Sequence, residues 1–214
     1  MGLIKNLKIL KKDSNERNKV KNIVDKLPEN SNVAKDILQI LGNETTKVVF
    51  DKDIKNNYYT YLNDTIYLTE NKKYSQKNRD GRICVIAHEC RHSVQSKVLQ
   101  NFNFILSNIE LIAFVVSIIL LIFRVSSLIV LCSYLCIVIF SIIPRMILEI
   151  NAVLKSVPIA KMYLEKKLNK EDVETVNNFY TIHTKTLLPL FIISLLFEKI
   201  VRSAIIYILY LIVK

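Results

Sequence analysis

Apolar and polar positions are ordered differently in the two halves of this chain. Up to about residue 104, apolar side chains recur at short spacings among lysines; beyond it they run together. "NVAKDILQILGN" has the three-to-four spacing of an amphipathic helix, and Gly42 closes it. "TKVVF" reads as a strand. "YYTYL", then "ND", then "TIYLT" reads as a β-hairpin, with aromatic and β-branched residues either side of a turn. "DGRICVIAHECRHSVQSKVLQNF" is predicted as a helix running toward the first long apolar run.

That run, Ile105 to Phe123, has 19 residues. At 1.5 Å per residue it reaches roughly 28 Å, close to the thickness of a bilayer's hydrocarbon core. Its only charge is Glu110. A break at "RVSS" separates it from Leu128 to Ile143, and together the two predict a transmembrane hairpin. A third run, Leu187 to Val213, carries Glu198, Lys199 and Arg202. Glu198 and Arg202 are four apart and can pair on one helix face. This run reads either as one tilted span or as a half-span joined to an interfacial helix.

The pattern predicts a mainly α integral membrane protein: transmembrane helices plus a small α+β portion. Its divisions are a basic segment 1–31, an α+β portion 32–104, a hairpin 105–147, polar helices 148–186 and a membrane segment 187–214. Charge then orients it. The formal net charge is +11, and lysines and arginines crowd the approach to the first span and the exit from the second, while the intervening loop offers Arg124 alone. The positive-inside rule puts the polar portions in the cytoplasm. Basic residues that flank spans are accounted for by orientation and lipid, and no nucleic-acid motif accompanies them, so no nucleic-acid partner is expected. Leu3, Ile4, Leu7 and Leu10 fall at helical spacing among lysines, which suits a helix on an anionic membrane surface or a plain basic tail. Cys84, Cys90, Cys132 and Cys136 include no C-x-x-C pair, so free thiols are expected.

The chemistry concentrates in "VIAHECRHSVQ". On a helix, residues i and i+4 share a face, so His88 and His92 can offer two imidazole nitrogens to one metal ion. Glu89 sits one step round. This is the H-E-x-x-H arrangement: two zinc ligands, with the glutamate as general base for a zinc-activated water. With three histidines and eleven glutamates in 214 residues, chance supplies on the order of 0.002 such matches. The spacing is therefore a strong signal for one zinc ion.

A catalytic zinc needs a third protein ligand and an open position. Glu149 follows the second span, and an out-and-back hairpin returns the chain to the side it left. Ala152, Ser156 and Ala160 continue the face of Glu149, small enough to admit another helix closely. Glu110 and His183 are the other candidates, one inside an apolar run and the other in "FYTIHTKT".

From residue 32 to 205 the order of these motifs resembles the membrane-bound neutral zinc metallopeptidases typified by YugP. The resemblance lies in "VAKDILQILG", "YYTYLNDTIYLTE", "AHECRHSVQ", the hairpin, "LEINAVLKS" and "LNKEDVETVNNFYTIHTKTLL". It implies a zinc-dependent endopeptidase with His88, His92 and Glu149 as ligands and Glu89 as catalytic base. Members carry glycine where Arg91 stands, and a small residue where Val153 stands. The implied partners are the lipid bilayer and a peptide or membrane-protein substrate. The hairpin near Thr65–Thr69 reads first as plain scaffold, with strand addition of a substrate at its edge as the alternative. The contrasting expectation is an inactive zinc-binding, or metal-free, membrane interaction protein of the same fold.

Overall fold

The computed structural model describes residues 14–69, 79–125 and 127–214. Among these residues the chain is mostly helical, with one three-stranded sheet. Leu3, Ile4, Leu7 and Leu10, on which the lipid-surface reading of the N-terminus rests, lie outside the described residues. The described residues form two compact units, one drawn from 1–95 and 151–188, the other from 96–150 and 189–214.

In the first unit, helix α1 (Ser14–Val24) and helix α2 (Asn30–Ile40) precede strands β1 (Lys47–Asp51), β2 (Tyr58–Thr60) and β3 (Thr65–Thr69). A short 3-10 turn, Arg79–Gly81, leads into helix α3 (Arg82–Ser93), which bears the two histidines. The unit is completed by 151–165 of helix α5 (Ser127–Glu165) and 170–188 of helix α6 (Lys170–Val213). Its core joins Val20 and Val24 of α1, Ile37 of α2, Ile66 and Leu68 of β3, and Ile83 and Ile86 of α3. From Ser14 onward, then, the basic segment does not stand apart. Its lysines are solvated while its apolar stripe is core. Arg82 ties the end of α1 to this core, donating to the carbonyls of Val24 and Pro28 at 2.8 Å and of Leu27 at 2.9 Å.

Gly42 ends α2 as its place in the sequence predicts. Its φ is +67°, and the N–H groups of Gly42 and Asn43 return to the carbonyls of Gln39 and Leu38. This is the paired closure that a left-handed residue just past a helix makes available.

β2 and β3 form the expected antiparallel hairpin, with Tyr59 opposite Ile66. The turn is longer than "ND": it takes in residues 61–64 and closes on Asp64, at φ 48°. The sheet order is β1-β3-β2, with β1 parallel to β3. Thr65–Thr69 is therefore the central strand, paired with β1 along its length and with β2 over Thr65, Ile66 and Tyr67, so it is not the free edge of the hairpin. That corrects the docking expectation. A pattern of alternation identifies a strand but carries no information on its neighbours.

The second unit contains helix α4 (Lys97–Ile122), residues 127–150 of α5 and 189–213 of α6. Ser96 caps α4, its hydroxyl accepting from the Leu99 N–H at 3.3 Å. Leu121, Val130, Leu131, Tyr134, Val138 and Ile206 make its core. Both α4 and α5 are long and apolar enough to cross a membrane, yet only 17% and 33% of their most apolar stretches are buried. The sequence divisions at 147 and 186 fall inside α5 and α6, which run on as single helices.

The charges of the third run gather inside this unit. Glu110 is fully buried and accepts from Lys199 at 2.9 Å, Arg202 at 2.8 Å and the Tyr134 hydroxyl at 2.9 Å. Lys199 also donates to Ser141 at 2.9 Å. The expected Glu198–Arg202 pair is present at 3.7 Å, with Glu198 largely in the open. It is secondary to Glu110.

Candidate metal centre

α3 lays His88 and His92 on one face because four residues make about one helical turn, with Glu89 one step round. Each offers a ligand atom, and these atoms lie within 4.8 Å of one another. The Nε2 atoms of His88 and His92 are 3.1 Å apart. Two imidazoles bound tetrahedrally at zinc–nitrogen distances near 2.0–2.1 Å would hold their nitrogens about 3.3 Å apart. The pair is therefore spaced to share one ion, and the group can hold a metal.

Glu89 is buried, and its Oε2 accepts from the backbone N–H of Tyr59 at 2.9 Å. A strand of the hairpin thus fixes the carboxylate from outside the helix. Tyr59 is held in turn. Its hydroxyl donates to Asp64 at 2.8 Å, and burial, followed by that bond, pushes the phenol above its ordinary range. Asp64 also accepts from the hydroxyls of Thr45 and Thr46, at 3.1 and 2.9 Å. The Tyr59 ring lies parallel to that of His92, 6.5 Å between centroids.

His92 has a partner on its far side: Nδ1 meets Gln95 Oε1 at 2.7 Å. Gln95 Nε2 donates to Asn151 Oδ1 at 3.2 Å, and Arg91 Nε donates to the same oxygen at 3.0 Å. Along the same two segments, the Cys84 thiol meets the Ser156 hydroxyl at 3.1 Å. Residues 84 and 91 of α3 thus match 156 and 151 of α5, an antiparallel pairing. Ala152, Ser156 and Ala160 are all buried, so the small-residue face is a packed one, as its composition implies.

Sequence reasoning missed Tyr59, Asp64, Gln95 and Asn151. Gln95, three residues past His92, could have been found from helical spacing; the others arrive from distant segments. Of the other ligand candidates, Glu110 is committed to Lys199 and Arg202 in the second unit, which removes it. His183 stands outside the group of three, stacked on Phe179 at 5.4 Å between centroids. Burial lowers its pKa, and Arg17 acts in the same direction. Glu149 is on α5, two residues before Asn151, and like His183 it stands outside the group of three. Cys90 is buried and its thiol is pushed up by burial, which makes it core filling. All four cysteines are free.

Compared with family models, with curated proteins and with solved structures, the chain matches none. The reading of the site rests on its own geometry.

Proposed function

We propose that this chain is a membrane-embedded zinc metallopeptidase. The observation that carries the reading is the Nε2 pair of His88 and His92, 3.1 Å apart, beside a buried glutamate anchored by the Tyr59 N–H. Glu149 is proposed as the third ligand. It is put forward on the sequence, as the carboxylate that heads the small-residue stretch Ala152, Ser156 and Ala160. The membrane half of the reading is supported by two helices whose apolar stretches are mostly unburied, and the basic flanks favour a cytoplasmic site in the cytoplasmic membrane.

In this reading His88, His92 and Glu149 hold the ion. When bound, zinc supplies Lewis acidity, polarising the scissile carbonyl and bringing the pKa of water toward about 7. Glu89 takes the proton of the attacking water and delivers it to the leaving amine. The Tyr59 N–H keeps that carboxylate in place, so the proton is exchanged at a fixed position rather than by a swinging side chain.

The test uses the full chain in detergent, with bound zinc and hydrolysis of a broad peptide library measured together. Glu89→Gln is expected to keep its zinc and lose about a hundredfold or more of activity. Glu149→Ala should lose far more zinc than Glu110→Ala. Equal hydrolysis by the parent and Glu89→Gln would rule out the enzyme. Zinc held without hydrolysis in either protein would point to a binding protein instead.

A further inference from the structure

We propose that Arg91, Asn151 and Gln95 form a relay that fixes the hydrogen-bond polarity around His92, locking its tautomer so that Nε2 presents a lone pair to a divalent cation. The inference rests on the zinc reading and assigns positioning roles to three residues that bind no metal themselves.

A side-chain amide can turn end for end, so Gln95 alone imposes no direction on its bond to His92. A guanidinium can, because it only donates. Arg91 Nε meets Asn151 at 3.0 Å, so Asn151 must face it with Oδ1. The same oxygen faces Gln95 at 3.2 Å, so Gln95 must offer its NH2 there. Its other end, Oε1, is then the atom 2.7 Å from His92 Nδ1. An acceptor at that position requires Nδ1–H, which leaves Nε2 unprotonated and directed at the His88 Nε2, 3.1 Å away.

Remove the arginine and the order is no longer enforced. The relay then no longer opposes an amide turned end for end, and a Gln95 that donates to Nδ1 would put the ring proton on Nε2, closing that nitrogen to a metal. The bulky cation that stands where the resembling peptidases carry glycine thus has a physical use: it is the one member of the relay that cannot be reversed. Partners that orient a metal-binding histidine in this way typically contribute ten- to a hundredfold in metal affinity, by order of magnitude.

Two measurements on the full chain in detergent test this. The first is the tautomer of His92 in metal-free protein labelled with 15N-histidine, read from long-range 15N–1H correlations at a pH where the ring is neutral; the chain has three histidines to assign. The parent should show Nδ1–H at His92, and Arg91→Met and Asn151→Leu should each shift it toward Nε2–H. The second is zinc affinity by competition titration. Gln95→Ala should weaken it by about tenfold and Arg91→Met by about threefold.

The deciding variant is Gln95→Glu, whose carboxylate accepts at both oxygens and cannot be reversed. In that background Arg91→Met should change neither tautomer nor affinity. An Nε2–H form in the parent overturns the relay. So does an equal effect of Arg91→Met in both backgrounds, which would mark the arginine as packing alone. A parent that keeps the Nδ1–H form yet binds no zinc overturns the zinc reading, and with it the purpose assigned here.

Discussion

At the scale of single residues, the site depends on groups whose polarity is fixed by their neighbours. Glu89 is aimed by a backbone N–H, and Tyr59, which supplies it, is anchored by Asp64. Tyr163 is the counterexample. It is fully buried in the first unit, and its hydroxyl has no hydrogen-bond partner among the described residues. An unsatisfied buried hydroxyl costs about 1–3 kcal/mol, so Tyr163→Phe should raise stability by about 1 kcal/mol in thermal unfolding. A destabilised variant would show that the hydroxyl is satisfied after all. The same phenol makes a pH prediction. Burial, with Asp36 adding to it, pushes it up to about 12. Unfolding releases a phenol of pKa about 10. The stability this group contributes is therefore complete below that value and lost as pH rises through about 12. In Tyr163→Phe the stability loss over that alkaline window should be shallower.

At the scale of elements, local sequence sets where each helix or strand is, and long-range pairing sets what it does. α2 ends at Gly42 with a φ of +67°, and an added Cβ there would meet no atom within 4 Å. Gly42→Ala should therefore cost only the backbone term, about 1–2 kcal/mol, and Gly42→Asn noticeably less, because asparagine enters this conformation more readily. Denaturant unfolding of the two variants checks the order, and equal losses would implicate packing instead. The hairpin was legible because it is contiguous and alternates. The parallel partnership of β1 with β3 was not, because its register, Val49 opposite Tyr67, is written nowhere near either strand.

At the scale of the molecule, two chemically distinct units coexist. The second buries a carboxylate against two cations while leaving most of its aliphatic surface uncovered. The Glu110 and Lys199 side chains are 1% and 4% exposed. Removing one member of such a pair leaves an uncompensated buried charge, so Glu110→Ala should cost about 3–5 kcal/mol. Glu110→Leu with Lys199→Leu should recover much of that, and a double variant no better than the single would argue against the pair. The membrane reading makes its own prediction through Cys132 and Cys136, which lie on the exposed surface of α5. With Cys84 and Cys90 replaced, a charged maleimide should fail to label either thiol in native membranes, from both sides, and label both after denaturation in detergent. Rapid labelling in membranes would put that helix in water.

The sequence by itself determined the local matters. It specified the helical spacing that pairs His88 with His92, the glycine that stops α2, the alternation of the hairpin and the apolar runs of spanning length. Each depends on residues a few positions apart, where backbone geometry alone decides which side chains meet. Only the tertiary structure decided the rest. It placed Thr65–Thr69 between two other strands, drew Glu110 away from the metal candidates to Lys199 and Arg202, and brought Tyr59 and Asn151 to the histidine helix. Those outcomes turn on donors and acceptors that lie as far as 92 residues apart. The cost of leaving such groups unpaired in a core selects their partners, and a one-dimensional pattern does not record who they are.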